Sequence, residues 1–424
     1  MSLKTKFFKN LENSKNFQSK KIVLFLALVL LFSAAVNALE CGETITEDII
    51  LTEDLLNCQG SGIVVGADDL VIDCDNYLIS GPGDTDDDGT LADEGGYAGI
   101  YIGSYDDITV KNCKITNFTY GLSLGLPADG SQNDAITSNK IFSNYIGIML
   151  RYGDNQYNLI QGNTIYGIDN GIHHYGGSGI YVQSGTENPI ESNTIFDLRN
   201  YGIFLGSDYN SVYGNSIENT GGAGFFLYSA DFNDLSYNTV SNTVRGFYVR
   251  SSSNNQINFN NIWENSAYGL WFYSQDAIPT LSNTAFGNYI QYNNIGVYMS
   301  QHNAGGEEGE TAFNHIESSE VSYNDKGFYL KGHTTAGNVH DNKINHNNIR
   351  SNTEQAYDYA GNNLWNNELG GNYWDDYDTP EEGCEDLNGD YVCDEPRDVP
   401  VDTFDTMACD DELLPGEPDN GCMN

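Results

Sequence analysis

The chain has 424 residues, with 18 Lys+Arg against 60 Asp+Glu and a formal charge of −42 at pH 7. It lacks the basic stripe that holds phosphates, which excludes nucleic acid as a partner, and its carboxylates point to a solvated, self-repelling surface and to hard cations such as Ca²⁺. With 12% aromatic and 39% apolar residues, it is too rich in core-forming side chains for an acidic disordered tail.

The N-terminus reads as a targeting segment. Lysines run to Lys21, then comes the apolar run "IVLFLALVLLFSAAV", then small residues at Val36, Asn37 and Ala38. That length suits a signal peptide over 1–38 better than a transmembrane helix, with a retained anchor as the alternative. No comparable apolar run follows, so the mature chain is expected to be secreted or displayed at the cell surface without a membrane span. Residues 1–39 hold six of the lysines and one Glu. The remainder carries 12 basic and 59 acidic residues, a net charge near −47.

All eight cysteines lie in the exported part, four near each end: Cys41, Cys58, Cys74, Cys113, Cys384, Cys393, Cys409 and Cys422. An even count in an exported chain reads as disulfides, among 105 possible pairings. The preferred set is Cys41–Cys58, Cys74–Cys113, Cys384–Cys393 and Cys409–Cys422. No C-x-x-C pair is present, and an oxidising compartment disfavours a thiolate zinc site.

After an N-terminal cap and first coils (39–98), residues 99–369 are periodic. Gly followed by apolar residues recurs at Gly99, Gly121, Gly147, Gly179, Gly202, Gly224, Gly246, Gly269, Gly296 and Gly327; the spacings from Gly179 to Gly269 are 23, 22, 22 and 23. A second series, N-x-Ile or N-x-Val, runs out of phase at Asn139, Asn163, Asn193, Asn215, Asn238, Asn260, Asn288, Asn314 and Asn342. Two interlocked series of short β-rich runs, without helical periodicity, predict a β-solenoid. Roughly eleven coils stacked about 4.8 Å apart give a rod on the order of 50 Å long. The Asn series is expected at turns, because Asn tolerates positive φ and can stack into hydrogen-bonded ladders.

The units "GI.L...S.N..I..N.I" resemble those of right-handed parallel β-helix proteins. The opening segment (41–81) looks like the N-terminal coils of archaeal secreted members. The acidic Cys-containing tail (370–424), through "GGNYWDDYDTPEEGCEDLNGDYVCDEP", is similar to the end of members related to the periplasmic copper-binding NosD-like family. The resemblance implies an all-β, single right-handed parallel β-helix with disulfide-stapled caps. It does not fix a function, because this scaffold carries lyases, epimerases, hydrolases and structural proteins alike.

Strand alternation then assigns faces. Residues one and three after each Gly, such as Ile203 and Leu205 or Phe247 and Val249, should fill the lumen. The residue between them should point outward: Tyr101, Ser123, Met149, Tyr181, Phe204, Phe226, Tyr248, Trp271, Tyr298 and Tyr329. The next outward positions include Arg151, Gln183, Tyr228, Arg250, Tyr273 and Lys331; Arg199, Arg245 and Lys326 stand just before their glycines. Half of the twelve basic residues thus flank an exposed aromatic stripe. Three readings fit it: stacking that stabilises the sheet without a ligand, a groove for an extended acidic polysaccharide, and an interface for self-association or other surface proteins.

A lyase or epimerase acting on an acidic glycan would need a charge neutraliser, a base and an acid around one sugar. Arg245, Tyr248 and Arg250, with His173 and His174, are the weak candidates. The motifs expected of pectin-active hydrolases and alginate epimerases are absent, so the preferred role is non-catalytic: structural, adhesive or carbohydrate-binding.

Metal expectations follow donor type. Asp386, Asn388, Asp390 and Asp394 alternate oxygen donors in one loop, as Ca²⁺ requires. Asp84, Asp86, Asp88 and Glu94 form a weaker second set. Methionines are scattered and cysteines look paired, so neither copper nor an organic cofactor is expected. The sequon Asn117-Phe118-Thr119 is a potential glycan acceptor.

Overall fold

The computed structural model describes residues 39–83, 96–126, 129–169, 174–175, 177–275, 277–302, 309–332, 338–359, 362–366, 370–382, 384–385, 387, 397–399 and 403–405. Short strands alternate with tight corners, and no helix occurs among the described residues. Three long parallel sheets dominate. The first has 13 strands, from Glu43–Ile45 to Glu354–Asp358; the second has 12, from Ile49–Ile50 to Lys343–Asn345; the third has 12, from Leu78–Ser80 to Tyr373–Trp374. Each coil contributes one strand to each sheet, and eleven coils carry all three. The fold is the expected right-handed parallel β-helix.

Alternation builds the core. Ile100, Ile102, Ile203, Leu205, Phe247, Val249, Phe328 and Leu330 are all fully buried in the lumen. Three-residue strands of the second and third sheets send in their middle residue, such as Val212 and Val240. The recurring Gly is explained by space rather than by φ. A Cβ on Gly246 would lie 2.4 Å from the Gly269 carbonyl oxygen and 2.6 Å from Ile262 Cγ2, so only hydrogen fits where backbone and lumen side chain converge.

The corners are built by asparagine ladders. Between the second and third sheets, Asn238 donates its backbone N–H to Asn260 Oδ1 (2.9 Å), and its Nδ2 donates to the same oxygen and to Val212 O. This ladder runs from Asn139 to Asn288, continues through Ser319, and ends at Asn347 and Asn372. A second ladder, between the first and second sheets, links Asn158, Asn188, Asn210, Asn233, Asn255, Asn283, Asn314, Asn342 and Asn363. A third joins Asn265, Asn293, Asn324 and Asn352.

Two expectations are corrected here. Asn314 and Asn342 belong to the second ladder, not the first; both corners precede three-residue strands with a central apolar residue, so both spell N-x-Ile. And the positive φ is carried by the residue before the ladder Asn, as at Tyr237 (58°), Phe259 (55°), Tyr209 (59°) and Phe232 (59°). The Asn is needed instead for its side chain, which satisfies backbone donors that would otherwise be buried without partners.

Disulfides join Cys41 to Cys58 and Cys74 to Cys113. Cys384 is disulfide-bonded, whereas Cys393, Cys409 and Cys422 lie outside the described residues. At the C-terminal end, fully buried Trp365 and Trp374 pack with ring centroids 5.7 Å apart, tilted by 42°, and close the lumen. The expected signal peptide (1–38) also lies outside the described residues.

Candidate binding face on the first sheet

Strand register places the sequence-derived outward residues in one column: Tyr101, Ser123, Met149, Tyr181, Phe204, Phe226, Tyr248, Trp271, Tyr298 and Tyr329 pair in that order. Tyr357 continues it, a rung the sequence pattern missed because Gln355 replaces the repeat Gly. From Tyr181 onward most neighbouring rings stack, with centroids 4.0 Å apart for Tyr181–Phe204, 4.7 Å for Phe226–Tyr248 and 4.4 Å for Tyr248–Trp271, whereas Phe204 meets Phe226 edge-on at 5.3 Å.

The column is less open than expected. Phe204 and Phe226 are 6% exposed and Tyr248 is 9% exposed. They form an outward-facing apolar cluster with Ala223, against which Tyr181, Tyr201, Trp271 and Tyr273 pack. The coil repeat of about 4.8 Å is close to the distance at which rings stack. Ring faces in mid-column are therefore covered by neighbouring rings.

Cationic side chains complete the face. The Arg245 guanidinium lies 5.3 Å from the centroids of both Tyr248 and Trp271; that of Arg250 lies 4.9 Å from Tyr228 and 6.0 Å from Tyr273. Arg151 lies 4.6 Å from the Tyr120 ring and donates through Nη1 to the Tyr120 hydroxyl at 3.2 Å. The Nε–H groups of Arg151, Arg245 and Arg250 are buried without a hydrogen-bond partner. None of these arginines, nor Lys331, forms an ion pair with a carboxylate among the described residues. Lys326 differs, being paired with Glu354.

The electrostatics speak to chemistry. Burial pushes the Tyr248 hydroxyl up to about 12, against the opposing pull of Arg250 and Arg245. Burial likewise pushes Tyr298 up to about 12. A general base for work near neutral pH needs a shift in the other direction. His173 lies outside the described residues. His174 sits in a two-residue strand paired antiparallel with Ile168–Asp169.

Several arrangements escaped the sequence pattern. Glu317 Oε1 lies 3.3 Å from His346 Nδ1, its Oε2 lies 3.6 Å from His315 Nε2, and the hydrogen bond to His346 is the largest influence holding its carboxyl low. Ser104, Asp106, Asp129, Gly130, Gln132, Gly153 and Asp154 line an acidic depression of about 590 Å³. Paired aromatics stand half-exposed at the corners, Tyr209 on Phe232 and Tyr237 on Phe259, each 5.0 Å apart. They were missed because the positive-φ position was assigned to Asn.

Among the described residues, no group of three or more His, Cys, Asp or Glu is arranged to hold a metal ion. The calcium candidates Asp386, Asn388, Asp390 and Asp394, and Asp84, Asp86, Asp88 and Glu94, lie outside the described residues. No described helix is long and apolar enough to cross a membrane.

Coil, ladder and lumen define a parallel β-helix protein. The solved structures it resembles have the same fold. The A-module of the Azotobacter vinelandii mannuronan C-5 epimerase AlgE6 aligns with a TM-score of 0.53 at 13% identity, over 78% of this chain and 91% of that one. The AlgE4 A-module of the same organism gives 0.53 at 13%, over 76% and 90%. A double-mutant form of the periplasmic alginate epimerase AlgG gives 0.50 at 16%, over 70% and 73%. No curated protein sequence matches the chain. The family described as "Periplasmic copper-binding protein (NosD)" matches residues 83–221 and 174–307, together more than half the chain. The protein belongs to this family.

The described methionine and cysteine side chains do not fit the copper in that family's description. Soft donors select copper, but Met299 is sealed in the lumen, Met149 is buried in the column, and every described cysteine is disulfide-bonded.

Proposed function

We propose that this protein is an exported, non-catalytic carbohydrate-binding scaffold whose ligand face is the outer surface of the first sheet. One observation carries the reading: in a strongly acidic chain, Arg245 and Arg250 lie on the aromatic column with buried, unpartnered Nε–H donors and no carboxylate partner among the described residues. A ligand carboxylate would give these guanidinium groups the counter-charge that the described residues do not supply. The structural neighbours named for mannuronan and alginate support an extended polysaccharide as the ligand. The upward displacement of Tyr248 and Tyr298 supports binding over proton abstraction. Export is supported by the family's periplasmic description and by the disulfides. Ca²⁺ in the acidic loops, Asp386 to Asp394 and Asp84 to Glu94, belongs to the same proposal.

Calorimetric titration with a panel of polysaccharides tests it. Saturable binding is expected, at least about tenfold weaker in Arg245→Gln/Arg250→Gln, as for loss of charge-assisted hydrogen bonds. Trp271→Ala should weaken it too. Ultraviolet-absorbing unsaturated products, or inverted sugar centres by NMR, would replace binding with catalysis. Unchanged affinity in a natively melting double variant, or no binding of any glycan, would remove the reading.

A further inference from the structure

Resting on that reading, we infer that the ligand is a linear carboxylate-bearing polysaccharide that lies parallel to the solenoid axis along the C-terminal edge of the first sheet, engaging Arg151, Arg250 and Lys331. Register fixes the line. Leu150, Val182, Leu205 and Leu227 pair in succession, so the residues that follow them, Arg151, Gln183, Gly206 and Tyr228, are successive rungs of one edge. Tyr228 pairs with Arg250, Arg250 with Tyr273, Tyr273 with Ser300, and Ser300 with Lys331. Arg151 therefore stands four coils before Arg250, and Lys331 three coils after it. At about 4.8 Å per coil these are gaps of ~19 Å and ~14 Å, a footprint of ~34 Å.

Three features of this edge point to such an occupant. Its cations form no ion pair with a carboxylate among the described residues, although Lys326 across the sheet has one. Two arginines lie over aromatic rings, the Arg151 guanidinium 4.6 Å from the Tyr120 centroid and that of Arg250 4.9 Å from Tyr228, with their Nε–H groups buried. Held this way, a guanidinium can meet a carboxylate through an Nη group with little ordering cost on binding. Finally, the rungs between the cations, Gln183, Gly206, Tyr228, Tyr273 and Ser300, carry no charge. Cations this far apart suit a polymer that repeats its carboxylates, since one of them can settle opposite each cation. A small anion would meet one cation only. Nucleic acid, with its dense phosphates, would meet the surrounding carboxylates at close range and only three cations.

Oligomers of mannuronate of defined length, titrated calorimetrically at low and high salt, test this. Affinity should climb with length until the oligomer spans ~34 Å and then level off. Arg151→Gln and Lys331→Gln should each weaken the long oligomer about three- to tenfold, as loss of one charged contact does. Both should leave a disaccharide unaffected and flatten the salt dependence. Lys343→Gln, on the second sheet, should change nothing. Affinity that does not grow beyond a disaccharide would overturn the axial path. A carboxyl-reduced, neutral polymer bound as tightly would overturn the carboxylate while leaving carbohydrate binding intact. No binding of any glycan would instead remove the reading on which this rests. An oligonucleotide of equal charge bound as tightly would overturn the carbohydrate.

Discussion

Asp134 stands at the head of a ladder that has asparagine on each later rung. Its Oδ1 accepts the Ile108 N–H at 2.9 Å, and its other oxygen accepts a short hydrogen bond from Ser131. Burial, against those hydrogen bonds, pushes its carboxyl up to about 7, with smaller upward contributions from Asp106 and Asp107. The sign of the linkage follows. Below about pH 4 both folded and unfolded chains hold this proton, so stability is undiminished; as pH rises towards 7 the unfolded chain ionises first and stability falls, by an amount on the order of 4 kcal/mol. Asp134→Asn should abolish that slope and leave the variant more stable than the parent at pH 8, measured by denaturant titration from pH 4 to 8. Equal pH dependence in the two proteins would show that Asp134 ionises normally.

At the scale of strands and corners, each rung of a ladder satisfies buried polar groups in both neighbouring coils. Asn238→Ala removes the oxygen that accepts the Asn215 N–H, and the amide that donates to Val212 O and to Asn260. It should destabilise by about 2–4 kcal/mol, as expected when two or more buried polar groups lose partners. Asn238→Ser should recover part of this, since Ser319 already serves as a rung, accepting the Asn288 N–H through Oγ. Equilibrium unfolding of both variants measures it, and an alanine variant as stable as the parent would show that water replaces the rung.

Strand-level features were legible for a simple reason: Phe247, Tyr248 and Val249 alternate because a strand alternates, and the coil repeat propagates that choice. The corners were only half legible. Asn314 and Asn342 look like members of the Asn139 series because N-x-Ile marks two different corners. Phe232 and Phe259 carry no local sign of positive φ; the ladder that compensates their backbone strain comes from other coils. The aromatic column was visible in outline, but its burial was not. Burial depends on Tyr201, Tyr273, Arg245 and Arg250 folding over Phe226 and Tyr248, and side-chain direction at a corner does not follow from strand periodicity.

Across the whole molecule, each coil touches mainly its neighbours, so stability accumulates along the axis. The two N-terminal disulfides constrain the first coils, while Trp365 and Trp374 seal the last. Bound Ca²⁺ in the acidic loops would stabilise only the folded chain. The proposal therefore predicts that EDTA lowers the melting temperature and that added Ca²⁺, but not Na⁺ at equal ionic strength, restores it. A melting temperature indifferent to EDTA would remove calcium from the account.

The corner between the second and third sheets has a further consequence. From Thr109–Lys111 to Lys343–Asn345, each strand of the second sheet is followed after two residues by its partner in the third. The chain's extra length enters instead at the two corners bordering the first sheet, as between Ser80 and Ala98 or His302 and Thr311. The molecule thus separates a corner of fixed length from corners whose length differs from coil to coil. A ladder corner locked in length keeps every coil in step, while insertions accumulate beside the arginine-bearing face. Such a scaffold can accept loops of different length at those corners without disturbing the stacking of its coils.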